Sequence, residues 1–482
     1  MSDVADAVVI GSGPNGLVAA IMLARAGWDV TVLERAAVPG GAVRSEELTK
    51  AGYIHDTFSA FYGLLHSSPV FEDLDLGSRI DWIDMETPVA AALDNENAAF
   101  VHRDVDATAR DLGKIADADE DAWRDLAAWW QKVGSKFFAM TLQPVGAVRP
   151  AIRFGLSVGP RRLFQTVKDL VGSIDTFAGA RFTSEAARAL VCSGVTHSDM
   201  SLEDAGSMPA AVILAMLAQF HGMPFPAGGA GKVTDALVTV LGEHGGIIHT
   251  GDAVDRIIVE RGRARGVVTA AGRTVIARHA VIADTGAVAL TRALVGEDRF
   301  PARWLDGIKR FRYGTGVFKI DLALDGPVPW LVDGLRQTAV VHTTGSTNDM
   351  ARANHEARHG MLPARPMLIV GQQSIGDPTR APKGGHTLWI ETHVPSEPTG
   401  DGARELSNVG GWAGARKPFF ERVMSLIEDH APGFRDRVVG WSINTPADLE
   451  AMNPNLVGGD LGGGSSALDQ QLVFRPVPGW FR

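Results

Sequence analysis

Two hydrophobic periods alternate along this chain. Ala7 to Ile10 is a short, β-branched apolar run that predicts a buried strand, and Leu17 to Ala26 carries apolar positions at helical spacing. Asp29 to Leu33 then predicts a second strand, reached through Gly27 at the position where a helix C′ glycine belongs. Residues 105–138 repeat at the helical period through Leu112, Ile115, Trp123, Leu126, Trp130 and Phe137, and an aromatic stripe of that kind is ordinarily core. Further helices are predicted from Ser184, a suitable N-cap, through Ala189 and from Met208 to Phe220. At Phe225 the texture changes. A helix over Val233 to Glu243 ends at Gly245-Gly246, and Ile247 to His249, Ala253 to Glu260, Gly266 to Thr269 and Arg273 to Ala277 predict a small β-meander. His279 to Asp284 reads as another buried strand turning through Thr285-Gly286 into a helix. Alternating runs from Phe311 to Asp321 and from Met367 to His393 predict a second sheet, and Pro418 to His430 a last helix before the glycine-rich Gly458 to Gly464.

The first strand runs straight into Gly11-Ser12-Gly13-Pro14-Asn15-Gly16, which fits G-x-G-x-x-G. The first glycine permits the tight turn, the second lets the backbone approach a pyrophosphate, and the third lets helix and strand pack closely. The helix N-terminus then offers free N–H groups and the positive end of its dipole to the phosphates. Glu34 closes the second strand at about 20 residues past the last glycine, the spacing of a carboxylate that binds an adenosine ribose and disfavours a 2′-phosphate. A bare glycine motif is weak in a chain with 55 glycines, but strand, helix, second strand and carboxylate in register are specific. Val38-Pro39-Gly40-Gly41-Ala42-Val43-Arg44 follows at once. Alone it is an ordinary turn with a surface arginine. Beside the first motif, Gly40, Gly41 and Arg44 supply a second backbone stretch and a guanidinium to the same pyrophosphate, which favours FAD over NAD.

With 482 residues, 45% hydrophobic and 21% charged, the chain is an ordinary globular one of about three domain-sized units. A net charge of −10 leaves no general footprint for nucleic acid. Residues 149–181 depart from it, with Arg149, Arg153, Arg161, Arg162, Lys168 and Arg181 against Asp169 and Asp175, either a solvated basic face or a peripheral membrane contact. The single cysteine, Cys192, excludes an intrachain disulfide or dithiol pair and reads as a buried small hydrophobe. No secretory leader is visible and no apolar run reaches the roughly 20 residues of a membrane span, so a cytoplasmic protein, membrane-associated at most through 149–181, is the expectation.

Together GSGPNG at 11–16, LERAAVPGGAVRSEE at 33–47, FPAGGAGKVTDAL at 225–237 and GGDLGGGSSALDQQLVFRPVPG at 458–479 make the whole chain resemble the FAD-dependent amine oxidase and phytoene desaturase superfamily, within it the phytoene dehydrogenase-like group. The resemblance implies an α/β fold: a Rossmann-like FAD-binding domain with an inserted helical and mixed-sheet substrate domain. It places FAD-binding segments at 1–85, at 225–296 with the meander, and from 458 onward. A helical cap falls at 86–224 and a substrate sheet and helix at 297–457. It implies that Gly11, Ser12, Gly13, Asn15 and Gly16 surround the pyrophosphate and that Glu34 takes the ribose hydroxyls. Gly40, Gly41 and Arg44 lie toward the flavin side, and the Val254 backbone meets the adenine. In such families the chain continues past the arginine- and proline-rich stretch with a strand, a turn and a helix that close over the flavin. This sequence reaches Arg482 before them, and a fragment of a longer protein is expected. The activity implied is hydride transfer from a C–H bond of a lipophilic substrate to flavin N5, without a protein dithiol. A flavin amine oxidase and a flavin-fold interaction protein are the alternatives, the former disfavoured because an aromatic cage has only Tyr53, Tyr62 and Tyr313 to draw on among tyrosines. His55, His197 and His221 are candidates for proton handling, each more ordinarily a structural histidine, and no catalytic residue is assigned.

Overall fold

The computed structural model describes residues 3–94, 97–141, 148–471 and 474–479. Strand β1 (Asp3–Ile10), helix α1 (Pro14–Arg25) and strand β2 (Val30–Leu33) come first, and β3 (Thr87–Ala92) and β4 (Ala98–Val101) follow after shorter pieces. A helical stretch comes next: α2 (Val105–Ile115), α3 (Asp117–Thr141), α4 (Val148–Val158), α5 (Pro160–Val171), α6 (Glu185–Cys192) and α7 (Ser207–His221). Helix α8 (Gly231–Glu243) leads into β5 (Ile247–His249), β6 (Val254–Glu260), β7 (Arg263–Thr269) and β8 (Thr274–Ala283). The remainder holds β9 (Gly316–Leu324), β10 (Thr338–Thr343), β11 (Leu368–Gly371), β12 (His386–Val394), α9 (Gly411–His430) and β13 (Val438–Asn444).

These strands form two sheets. The first has the order β6-β7-β8-β1-β2-β5, with β8, β1, β2 and β5 parallel and the β6–β7–β8 meander antiparallel at one edge. Burial on both faces accounts for the continuous apolar run of β1. Ala7 and Val9 pack with Leu17 and Ile21 of α1 and Leu237 and Leu241 of α8, while Val8 and Ile10 pack with Val267 and Val275 on the other side. The second sheet has the order β13-β9-β12-β11-β10-β3-β4, antiparallel except where β10 runs parallel to β3. Helix α9 covers one face, setting Phe419, Val423 and Ile427 against Phe318, Ile320 and Leu322 of β9. Helices α3, α6 and α7 cover part of the opposite face, where Trp123 donates through Nε1 to Gln219 Oε1 at 2.8 Å and ties α3 to α7.

Several predicted elements differ in detail, each for a local reason. The helical period over 105–138 is two helices, broken at an extended Ala116; the second restarts with Asp117, Asp119 and Glu120 in its first turn, and buried Asp119 accepts from Thr183 N, Ser184 N and Ser184 Oγ. Ile247–His249 does not belong to the meander but extends the parallel sheet beside β2. The runs Arg273–Ala277 and His279–Asp284 are one strand, β8, whose first part pairs antiparallel with β7 while its length runs parallel to β1. The strand expected from Phe311 starts at Gly316, and the last helix starts at Gly411 with Pro418 inside it.

Phe419 is wholly buried between α9 and β9. Phe419→Ala is expected to lower the unfolding free energy of this half by about 3–5 kcal/mol, read as a reduced urea midpoint at unchanged slope.

Candidate flavin and substrate site

The turn from β1 to α1 and the Gly40–Gly41 turn touch. Gly40 N donates to Ser12 O at 3.0 Å, and a Cβ added at Gly41 would lie 3.1 Å from the Gly13 Cα. Gly40 has φ +116°, a conformation that side chains rarely adopt, and a Cβ at Gly16 would sit 2.4 Å from the Gly11 carbonyl oxygen. Two backbone turns thus make a cradle at the N-terminus of α1. Glu34 is buried beside it. Its Oε2 accepts from Ser12 N at 2.9 Å and Ser12 Oγ at 2.7 Å, and its Oε1 from Ala36 N at 2.8 Å, which fixes the carboxylate at the end of β2. Val254 begins β6 two residues after Asp252, whose N–H bonds the Glu34 carbonyl at 2.8 Å, so it belongs to the same edge. Asn15 is exposed on the first turn of α1. Arg44 is turned aside: its Nε lies 2.9 Å from Glu46 Oε1, and its guanidinium sits 5.2 Å from the Phe58 ring centroid.

From the cradle the chain reaches the second sheet through a buried ion pair. Arg380 Nη1 donates to Asp56 Oδ2 at 2.6 Å, its Nη2 to the Pro226 carbonyl at 2.9 Å and its Nε to Asp377 Oδ2 at 3.1 Å. Asp56 Oδ1 accepts from Ala230 N at 2.7 Å and Ser45 Oγ at 2.8 Å. Trp389 of β12 adds a bond from Nε1 to the Phe58 carbonyl at 2.8 Å.

The face of the second sheet turned toward the cradle is chemically unlike its other face. Cross-strand partners place His342, Ile369, Glu391 and Lys319 in one row across β10, β11, β12 and β9, with Val317 opposite His393 and Asp321 opposite Trp389 in flanking rows. Lys319 and Asp321 are fully buried and paired, Nζ to Oδ1 at 2.6 Å. Burial pushes the Asp321 carboxyl up to about 6 against the pull of Lys319. Glu391 is 7% exposed and, among the described residues, has neither a hydrogen bond nor an ion pair; burial pushes it up to about 8. Burial also holds His342 well below the usual histidine range, and its Nδ1 lies 2.8 Å from Ser193 Oγ and its Nε2 3.1 Å from His197 Nε2. Burial, then Lys319, then Arg380 lowers His55 to about 3, so it is neutral and its 3.8 Å approach to Asp321 is no ion pair.

A cavity of about 180 Å³ opens on this face, lined by Val317, Ile369, Glu391 and His393 of the sheet, by His197 and Asp199, and by Asp460. His197 also lines a narrow recess walled by Val89, Val101, Leu190, Leu214 and Met223. A larger groove of about 430 Å³ lies at the surface between 307–312 and 469–478 and includes none of these groups. Of the histidines singled out in the sequence, His197 reaches the cavity, His55 lies behind the Lys319–Asp321 pair, and His221 is exposed at the end of α7. Cys192 is buried. The sequence reading passed over Lys319, Asp321, Glu391, His342, His393 and Arg380. A signal was present in GVFKIDLAL and HTLWIETHV, where charged residues recur at every second position inside apolar strands.

The profile of the flavin containing amine oxidoreductases matches residues 15–384. The chain belongs to that family. Pyridine nucleotide-disulfide oxidoreductase domain-containing protein 2 of Rattus norvegicus is 26% identical, over 98% of this chain and 86% of that protein. The neurosporene-forming phytoene desaturase of Cereibacter sphaeroides is 25% identical, over 92% and 82%. The crystal structure of an oxidoreductase from Methanosarcina mazei has the same fold, with a TM-score of 0.59 at 19% identity over 91% of this chain and 87% of that one.

This flavoprotein is an oxidoreductase whose cofactor is FAD. The cradle fits the cofactor in shape, since side chains are missing where a pyrophosphate must approach backbone. One group works against it. Asp284, at the end of β8, accepts from Gly16 N through Oδ2 at 3.0 Å and so sets a carboxylate on a donor of the glycine turn. Burial raises the Asp284 pKa, and the Glu34 charge raises it further. A second anion at the same place favours the protonated acid, so FAD affinity is expected to strengthen as pH falls through the Asp284 titration. Asp284→Asn should bind FAD about tenfold more tightly above that titration, with a flatter pH profile in equilibrium dialysis.

Proposed function

We propose that the chain catalyses hydride removal from a C–H bond of a lipophilic substrate, a desaturase- or dehydrogenase-like reaction. The observation behind the reading is the adjacency of cavity and cradle: Val317, on the cavity wall, packs in one cluster with Phe58 and with Ala42, the residue after the Gly40–Gly41 turn. In this reading Gly11, Ser12, Gly13, Asn15, Gly16, Gly40 and Gly41 hold the pyrophosphate. Glu34 holds the ribose, the Val254 backbone the adenine edge, and Arg44, released from Glu46, the flavin side. When bound, FAD would supply the oxidising power as hydride acceptor. The protein orients the substrate and keeps water out. Val317, Ile369 and Leu461 form the apolar wall, and the Trp389 bond to Phe58, which packs with Val317, holds that wall to the sheet.

A lipophilic substrate suits a docking face on α4 and α5. Leu156 is 76% and Phe164 82% exposed, with Ile152, Leu163, Val167 and Val171 also open and Arg149, Arg153 and Lys168 beside them. The side chains of Arg161 and Arg162 lie outside the described residues, and Arg181 is engaged with Asp169 at 3.1 Å. Among the described residues no helix is long and apolar enough to cross a membrane. The face lies on a bilayer as a basic amphipathic hairpin.

Purified protein mixed with FAD should acquire a flavin spectrum that bleaches anaerobically on adding the true substrate. A protein that stays colourless, or a bound flavin that no lipophilic C–H donor reduces, would sink the reading. Leu156→Glu and Phe164→Glu should each weaken sedimentation with anionic vesicles by roughly tenfold while leaving FAD binding unchanged.

A further inference from the structure

Glu391 is the unexplained group on the substrate side. A buried carboxyl without a partner is costly when ionised, and cores do not ordinarily keep one. Here the obvious counter-ion is already taken, because Lys319 Nζ is bonded to Asp321 on the neighbouring strand. The remaining groups around Glu391 supply no positive charge. His393 stands two residues along β12, with Nδ1 bonded to Thr315 Oγ1 at 2.9 Å, and His342 on β10 is held neutral. His197 and Asp199 come from the segment after α6, and Asp460 from the loop after residue 457. Both aspartates are occupied by the chain itself: Asp199 accepts from Ser465 Oγ and Ser466 N, and Asp460 from Gly314 N, Gly462 N and Gly464 N. Among the described residues, Glu391 is the carboxylate of the cavity lining that accepts no hydrogen bond from the protein.

The cavity therefore has an apolar wall, a negative rim and one free carboxyl, which is a poor fit for a plain hydrocarbon. It suits a neutral substrate with a hydrogen-bond donor. An organic cation is less suited, because among the described residues no aromatic ring other than histidine lines the cavity to stack on it. Resting on the hydride-transfer reading above, we propose that Glu391 is the catalytic base for a hydroxyl-bearing substrate, a lipophilic alcohol oxidised at its carbinol carbon. The carbinol C–H bond breaks with its electron pair going to oxidised FAD, which is thereby reduced. The O–H bond breaks with its proton going to the Glu391 carboxylate, and the C–O bond becomes C=O. A base that titrates close to neutrality is matched to that transfer.

The test is calorimetric titration of 2-octanol, 2-aminooctane and octane into FAD-loaded wild-type and Glu391→Gln protein across the pH window around Glu391's value of about 8. An ionised carboxylate accepts a stronger hydrogen bond than a neutral acid, so 2-octanol should bind the wild type about tenfold more tightly above the window than below it, and Glu391→Gln should bind weakly with no such change. Infrared spectra should show a carboxyl band titrating in the same window that Glu391→Gln lacks. The variant is isosteric and removes a buried acid whose pKa is raised on folding. The wild type should therefore lose stability relative to it as pH rises from the ordinary glutamate range through about 8, a check that the variant folds. Octane binding as well as 2-octanol, 2-aminooctane binding better through Glu391, or a pH response that survives in Glu391→Gln would each overturn the proposal. Flavin that no alcohol reduces anaerobically, beside an intact Glu391-dependent titration, would instead remove the hydride-transfer reading and leave Glu391 as a hydroxyl-binding group.

Discussion

Arg380 is the contact on which the rest of this structure turns. Its guanidinium is withdrawn from water and meets carboxylates and a carbonyl from three separate stretches of chain, at Asp56, Pro226 and Asp377. Asp56 in turn fixes Ser45 and the start of α8. Breaking one side of such a pair leaves a buried charge uncompensated, a penalty of about 3–5 kcal/mol. Because these stretches lead from the second glycine turn, into the helix α8 that flanks the parallel sheet, and toward β12, one buried arginine ties the cradle to the second sheet. Arginine suits the position because its planar fork serves several acceptors at once, which a lysine ammonium does with less directionality.

The second sheet uses the alternation of strands to keep two chemistries apart. Phe318, Ile320 and Leu322 of β9 and Leu388, Ile390 and Val394 of β12, at even positions, pack in one cluster with α9, while Lys319, Asp321, Glu391 and His393 at odd positions face the other way. The same strand thus contributes to an ordinary core on one side and a titratable, partly enclosed surface on the other. Without water to solvate them, these groups settle into states set by their neighbours: Lys319 shares charge with Asp321, His55 and His342 are neutral, and Glu391 is poised between acid and base. These groups lie beside a cluster that includes Ala42, the residue after the Gly40–Gly41 turn.

The helical segment between β4 and α8 does a third task. Its inner residues complete the core against β3, β4, β10, β11 and Trp389 of β12, and its outermost hairpin, α4 and α5, leaves large apolar side chains uncovered among basic ones. In the proposed reading, a cavity for a lipophilic substrate and a face for a lipid surface would answer the same difficulty, since such substrates are scarce in water.

The cradle was legible in the sequence because its determinants are local. A glycine that must leave room for backbone at Gly16, a left-handed turn at Gly40 and a carboxylate that closes β2 at Glu34 are written within a few dozen residues, and the strand–turn–helix period around them is regular. The family resemblance, the FAD cofactor and the α/β architecture followed from that stretch and a few others like it. Boundaries were legible only where a local residue decides them; the break at Ala116 and the joining of two runs into β8 depend on what the segment packs against. Asp284 and Arg380 had no local signal, because each acts on partners far away in the chain, at Gly16 and at Asp56. Glu391 is the sharpest case. Its place in an apolar strand was visible, but a lysine three strands earlier in the sequence could have neutralised it. The register of β9 against β12 sets Lys319 opposite Glu391, and it is the bond from Lys319 to Asp321 that leaves that carboxyl unpaired over the cavity. The sequence by itself determined the glycine cradle through short-range geometry, and the tertiary structure decided the charged face of the second sheet through long-range pairing of charges.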